Sequence, residues 1–260
     1  MAQWNKDTQD YRAQDTTNFE VVMLADQNGN PLNSYGAAAN IPIAAGDLAG
    51  YSHINKFGYS DDISIQGGGY TTIWDDATLY SYIGTADVAS VASTNGDTGT
   101  VEVQGLDGNY APVTETITIG SSGTTEFLRI FRAIQLTGTN NDDIEISVGG
   151  AVRAIIKADA GQTLMALYTV PAGKTAYLMK FQGSIDKSNG ETKFRFMARP
   201  FGGIFNVKGQ FGTAAGSPIN YDYPVPLRFE EKTDIEVRAV SGSSLGAGAV
   251  FDLILVDNEV

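Results

Sequence analysis

Val101-Glu102-Val103-Gln104-Gly105-Leu106-Asp107-Gly108-Asn109-Tyr110, followed by Val113-Thr114-Glu115-Thr116-Ile117-Thr118-Ile119, is the stretch that decides the fold. Val101 and Val103 alternate with Glu102 and Gln104, which is the two-residue period of a strand with one buried face. Asp107-Gly108 breaks the run with a turn, since glycine accepts positive φ and aspartate bonds its own backbone. Beyond it Val113, Glu115, Ile117 and Ile119 share one face, and Thr114, Thr116 and Thr118 share the other. Three threonines on one face suit a pleated strand better than a helix, where β-branched side chains lose rotamer freedom. A strand, a turn and a second strand are predicted here.

The same rhythm extends in both directions. Phe127-Leu128-Arg129-Ile130-Phe131-Arg132 and Ile144-Glu145-Ile146-Ser147-Val148 continue it, and Gly/Ser clusters separate the runs. Farther on, Tyr177, Met179 and Phe181 alternate with Lys180 and Gln182, and Phe194 and Phe196 alternate with Lys193, Arg195 and Met197. Asn189-Gly190 between those two runs predicts an antiparallel hairpin. Ile235, Val237 and Ala239 oppose Asp234, Glu236 and Arg238, and Phe251, Leu253 and Leu255 form a last core strand. With no helix between the strands, the chain is expected to be all-β, an antiparallel β-sandwich or jelly roll. Ala158-Asp159-Ala160-Gly161 interrupts the apolar runs, so two sandwich modules are expected, over residues 61–157 and 158–260. Residues 1–60 read as an extended N-terminal arm, with a short strand over Phe19–Leu24, an Asn28-Gly29 turn and an Ala/Gly-rich stretch from Tyr35 to Gly50. Trp4, Tyr11 and Phe19 are widely spaced aromatics on a polar chain, and they are the candidate anchors on a neighbouring subunit.

Composition narrows the partners. Charged residues are 18% of the chain, below the roughly 25% usual for globular proteins. Thirty glycines against eight prolines fit many tight turns. Thirty acidic and seventeen basic residues leave a net charge of −13, and the lysines Lys157, Lys174, Lys180 and Lys187 are scattered singly. Phosphate backbones and anionic membranes are recognised by clustered Lys and Arg, so neither nucleic acid nor membrane is an expected partner. No apolar run reaches the ~18 residues of a membrane span. Met1-Ala2-Gln3-Trp4-Asn5-Lys6-Asp7 lacks the apolar core of a signal peptide. The absence of cysteine excludes disulfides, thiolate catalysis and cysteine-ligated metal sites.

Enzymatic patterns fail one by one, and no catalytic residue, metal ligand or cofactor site is expected. His53 is the only histidine, which rules out multi-histidine metal sites. Gly242-Ser243-Ser244-Leu245-Gly246 matches a nucleophile elbow formally, but strands flank it where the elbow needs a following helix. Asp26-Gln27-Asn28-Gly29-Asn30 starts like a calcium loop, yet its sixth position is Pro31 where glycine makes the turn. Gly67-Gly68-Gly69 opens no helix and no P-loop occurs. Asp61-Asp62, Asp75-Asp76 and Asn141-Asp142-Asp143 fit turn residues, with weak calcium binding as the sharper alternative. Two carboxylates suffice for glycoside hydrolysis, and Tyr70, Trp74, Tyr221 and Tyr223 could line a glycan groove.

The quoted stretch resembles a pattern of tailed-phage structural proteins, in which a QGLDANY…ETVT strand–turn–strand precedes an LR-[IV]-x-R strand, here Leu128 to Arg132. Gly161-Gln162-Thr163-Leu164, Tyr168 through Leu178, Arg199-Pro200-Phe201-Gly202-Gly203, Phe229 through Ile235 and Phe251 through Val256 resemble the trailing elements. The opening Tyr11 to Val21 looks like cyanophage and marine-phage virion proteins. The likeness spans about residues 1–35 and 54–258. It implies a non-enzymatic virion protein assembled in the host cytoplasm, with no functional residues to carry over. The first expectation is a capsid decoration or cement protein on the outside of the head. Neck, tail or fibre component is the second, and a carbohydrate-binding or glycan-cleaving module the third. The implied partners are the major capsid protein or other virion proteins, and the chain itself in a homo-oligomer, by hypothesis a trimer. Open strand edges that neighbours cover are consistent with this.

Overall fold

The computed structural model describes residues 2–5, 10–13, 20–21, 40–64, 69–188, 190–214 and 216–258. They fall into two compact units, Met1–Leu48 and Ala49–Val260. In the first, β1 (Ala2–Asn5), β2 (Asp10–Ala13) and β3 (Glu20–Val21) form an antiparallel meander. Trp4 stands opposite Tyr11 in its register. The short helix α1 (Asn40–Ala45) ends at Gly46, whose φ of +77° is the left-handed value that closes helices.

The second unit is all-β and consists of two stacked-sheet sandwiches, one inserted into the other. One sheet of the host sandwich has the order β17 (Ile219–Phe229), β14 (Lys174–Ile185), β19 (Ala247–Asp257), β4 (Tyr51–Ser60). The facing sheet runs β13 (Leu167–Thr169), β18 (Asp234–Ser241), β15 (Glu191–Arg199), β16 (Asn206–Ala214). The short β5 (Thr71–Thr72) also pairs with β18. Apart from the β15–β16 hairpin, successive strands from β13 onward alternate between the sheets, which is a jelly-roll-like winding. Phe181, Phe194, Phe196 and Phe251 fill the space between the sheets.

β5 and β13 are two halves of one strand position. Thr72 pairs with Arg238 and Leu167 pairs with Glu236. Between them the Ile73 amide donates to Val237 O (2.9 Å), the Val237 amide to Ala166 O (3.0 Å) and the Ala166 amide to Ile73 O (2.9 Å). The chain therefore leaves the jelly roll at Ile73, builds a second sandwich and returns at Ala166. Gly58 of β4 lies directly under this splice: a Cβ there would stand 2.2 Å from Ala166 N and 2.7 Å from Ile73 O.

The inserted sandwich has one sheet ordered β12 (Ala151–Ile156), β11 (Ile144–Val148), β6 (Asp87–Ser93), β9 (Ser121–Phe127). Its other sheet is β10 (Arg129–Gly138), β7 (Gly99–Leu106), β8 (Pro112–Thr118). The β7–β8 hairpin has Val101 opposite Ile117 and Glu102 opposite Thr116, as the alternation requires. Asp107 Oδ1 accepts from the Asn109 and Ala111 amides (2.8 and 2.9 Å) and holds the turn. At Leu128 the chain passes from β9 in one sheet to β10 in the other.

Three expectations need correcting. Tyr51–Ser60, grouped with the arm, is a ten-residue strand paired along its length with β19. The two modules are not consecutive segments, because β4 and β5 belong with the strands after residue 166. The predicted hairpin around Asn189-Gly190 does not form: β14 and β15 lie in facing sheets, and Phe181 meets Phe194 across the core at 6.2 Å. Both strands carry large aromatics on one face, and packing those faces together removes more apolar area from water than pairing the edges does.

Candidate interaction surface

Where the two sandwiches meet, the polar face of β18 is buried. Asp234 and Glu236 had the alternation of a solvated face, but they are 3% and 0% exposed. Arg129 of β10 grips Asp234 with two parallel bonds, Nε to Oδ1 at 2.7 Å and Nη2 to Oδ2 at 3.2 Å. Arg199 Nε reaches Oδ2 (3.0 Å) and the Thr169 hydroxyl donates to Oδ1 (2.7 Å). Arg129 also donates to the carbonyls of Ile83 and Leu128. Beside it Arg238 pairs with Glu236, and the Tyr82 hydroxyl donates to Glu236 Oε2 (3.1 Å). Burial pushes the Glu236 carboxyl above its usual range, against the pull of Arg238.

Aromatic rings close the same joint. Arg129 lies over Tyr82 and Tyr110, and Arg199 and Arg238 each lie 4.7 Å from Phe205. Tyr110 sits at φ +65°, rare for a bulky residue. There its ring meets Phe201 edge-on at 5.8 Å, and its carbonyl accepts from the Ala172 amide. Arg129, Arg199 and Arg238, far apart in sequence, are gathered here on the buried carboxylates of Asp234 and Glu236. Four separate segments, Leu106 to Tyr110, Leu128 to Arg132, Arg199 to Gly203 and Lys232 to Ile235, converge on this joint. Their role is to hold two sandwiches in one fixed arrangement.

Several exposed apolar side chains lie on β16 and β17 and in the loop that precedes β16. Phe211 of β16 packs on Tyr221 of β17 (5.3 Å) and Tyr221 on Tyr223 (4.7 Å). The β14–β17 ladder then breaks: Leu178 pairs with Leu227, but Lys180 pairs with Asp222. Tyr223-Pro224-Val225-Pro226 thus stands opposite Met179 alone and bulges from the sheet. Proline has no N–H to offer a further strand, so the bulge blocks edge-to-edge pairing while it presents Val225. Val225 is 78% exposed, Ile204 76%, Phe201 66% and Val207 47%. Large apolar side chains left open in this number mark contact surfaces on soluble proteins.

The other singled-out residues separate. Trp4 and Tyr11 share a register position in the first unit, and Phe19 lies outside the described residues, as do Asp26 to Pro31 and Gly67-Gly68. His53 bonds Asp252 (3.1 Å) in the middle of the β4–β19 ladder. Ser60, at the end of β4 next to the Ser243-Ser244 loop, is seven residues from His53, about 23 Å at strand rise, so no serine–histidine pair forms. Trp74 is 3% exposed in the core of the inserted sandwich, and Tyr70 lies against Arg195. The four aromatics of the suggested glycan groove therefore line no common surface. Among the paired acids, Asp143 binds Lys157 (2.9 Å) and Asp75 Oδ2 accepts from the Leu164 amide (2.8 Å). Asp97 accepts from the amides of Asn141 and Asp142 and the Thr139 hydroxyl, which holds its carboxyl down at about 2. Among the described residues no three Asp, Glu or His side chains are placed to hold a metal ion.

No protein-family model matches the chain, and no curated protein matches it. Among solved structures, that of the infectious bursal disease virus Gx strain aligns over 79% of this chain and 70% of its own, at 10% identity and a TM-score of 0.24. The VP2 subviral particle of the same virus aligns over 81% and 73%, at 9% identity and a TM-score of 0.20. Superpositions that loose carry no weight for function.

Proposed function

We propose that the chain is a non-enzymatic structural subunit of a tailed-phage particle, and within it a decoration protein that binds the outside of the head. The observation that carries the reading is the group of exposed apolar side chains Phe201, Ile204, Val207 and Val225 on and beside β16 and β17. Covering such side chains is worth on the order of 1–2 kcal/mol each, which suits a permanent contact with a copy of the chain or with a shell protein. The fixed joint between sandwiches supplies a rigid body, as a building block needs. The motifs that resemble tailed-phage proteins build that joint, so the resemblance and the architecture support the same role. The partners in this reading are the major capsid protein or other virion proteins, and the chain itself in a small oligomer, with nucleic acid and membrane outside it.

Cryo-electron microscopy of purified particles tests the reading. Density for the two-sandwich body over the icosahedral shell, in hundreds of copies, is the expected result. Density confined to neck, tail or fibres would replace decoration by the second location. Absence from the particle would overturn the structural role.

A further inference from the structure

β4 is the edge of its sheet, and the outward half of its backbone is open. Its ladder with β19 runs without a bulge from Tyr51 opposite Val256 to Ser60 opposite Ala247. Just before it the Asp257 amide donates to Gly50 O (2.8 Å), so Gly50 stands in a hydrogen-bonded pair. Such pairs alternate with non-bonded ones along an antiparallel ladder. Ser52, Ile54, Lys56, Gly58 and Ser60 therefore turn their amides and carbonyls toward β19, and Tyr51, His53, Asn55, Phe57 and Tyr59 turn theirs outward. The Tyr59 amide meets Leu164 O (3.4 Å), as this phase requires. Among the described residues nothing bonds the outward backbone of Tyr51, His53, Asn55 or Phe57.

Other edges of the chain are closed. The proline bulge blocks β17. Glu115 of β8 takes the amides of Thr124 and Thr125 in β9 (2.8 and 2.9 Å). The segment after β12 covers β10, where the Gln135 amide donates to Gly161 O (2.8 Å) and the Thr163 amide to Ala133 O (2.9 Å). β4 has no such device: it contains no proline and no bulge, and no charged side chain lies between Tyr51 and Asn55. A straight, open edge of this kind is a template for another strand.

Charge and register say which strand fits. The chain carries a net charge of −13, so copies repel over most of their surface, whereas Tyr51-Ser52-His53-Ile54-Asn55 is a neutral strip. The carboxylate beside it, Asp252, is already held by His53 and Asn55 (3.1 and 2.7 Å). The strip is also self-complementary. Laid antiparallel with Ile54 facing Ile54 of a second copy, it sets Tyr51 opposite Phe57 and His53 opposite Asn55, so all four open residues exchange amide and carbonyl bonds at once. Tyr51 and Phe57 then form aromatic cross-strand pairs, which stabilise a sheet. Gly50, at φ +79°, turns each chain off this line before it would meet the Leu164 segment of the other. We propose that β4 pairs with β4 of a second copy about a two-fold axis at Ile54, joining two four-stranded sheets into one and making the chain a dimer rather than a trimer. This deepens the assembly reading by naming the surface through which copies meet, and it rests on that reading for the contact's role in a particle.

The test is light scattering on the full chain over a range of concentration, with amide exchange read residue by residue by NMR. The expected result is twice the mass of one chain. The amides of Tyr51, His53, Asn55 and Phe57 should become protected as concentration rises, while those of Ser52, Ile54 and Lys56 are protected throughout. His53→Pro removes an outward donor and spares every bond to β19. The symmetric contact loses that donor twice and leaves two Asn55 carbonyls unpaired, so dissociation should become about 100-fold easier. His53→Thr, which keeps the amide, should keep the dimer. A chain that stays monomeric at every concentration would overturn the pairing, as would a dimer in which the four outward amides exchange freely. If His53→Pro does not fold, the exchange pattern of the native chain decides alone. No particle is involved, so failure of the β4 contact and absence of the chain from a virion are separate results.

Discussion

Replacing Asp234 by asparagine keeps the shape of the joint between the sandwiches and removes one charge from its centre. In the native chain that carboxylate takes two bonds from Arg129, two from Arg199 and one from Thr169. Arg199 is partly exposed and can turn to water, whereas the Arg129 side chain is 9% exposed and cannot. Leaving a buried charge without its counterion costs about 3–5 kcal/mol, which in a body of this size lowers the melting temperature by roughly 6–20 °C. The reverse change, Arg129→Met, leaves Asp234 with Arg199 and Thr169, so it should cost clearly less. Urea unfolding at pH 7, followed by tryptophan fluorescence and far-ultraviolet circular dichroism, measures both. Because the pair is buried, the penalty should change little between 0.1 and 1 M salt. A loss below about 1.5 kcal/mol for Asp234→Asn, or an equal loss for Arg129→Met, would refute the reasoning.

Other outcomes follow from the same geometry. Gly58→Ala should destabilise by about 1–3 kcal/mol, because its methyl would collide with backbone atoms at the splice; chemical denaturation reads this directly, and a neutral result would mean that the splice is loose. Asp75 keeps its proton to about pH 8 in the folded chain against an ordinary 3.8, so the stability linked to that proton is complete below pH 4 and is lost as pH rises through about 8. Asp75→Asn should flatten that decline in melting temperature, and an unchanged slope would place the titration elsewhere. The Asp97 carboxyl shows the opposite sign: held at about 2, its contribution is full above pH 4 and disappears toward pH 2, where amide exchange at Asn141 and Asp142 should quicken first. Val225→Asp with Ile204→Asp should abolish particle binding, seen by co-sedimentation, and leave the melting temperature within about 1 °C, since both side chains are solvent-exposed.

Fold class was legible because alternation is a local property: Val101, Val103 and Ile117 are buried where their period places them. Which strands pair was not. Asn189-Gly190 has good turn chemistry, but turn chemistry does not say whether the chain returns beside its own strand or crosses to the facing sheet. β4 escaped because Tyr51, His53 and Asn55 are exposed or half-exposed at a sheet edge, and the strand lacks the apolar pattern that marks a central one. The joint was illegible for a related reason. Alternation says that Asp234 and Glu236 face away from one core, and only the second sandwich, packed on that face, makes it an interior. The exposed valine of Pro224-Val225-Pro226 did leave a signal, since two prolines around an apolar residue inside a strand indicate an unpaired bulge.

The splice at Ile73 and Ala166 also has a consequence in time. On a ribosome the inserted sandwich emerges complete while most of the host is still unmade, and its strands pair only with one another. The host cannot close its sheet until the last strand arrives, because His53 meets Asp252 199 positions later. An early-folding insert fixes the ends of its own segment side by side and so shortens the effective loop between β4 and the strands to come. The nascent chain would then carry one finished lobe and one unpaired strand until β19 has been made. A stall before β19 should leave β4 open to pairing with another chain.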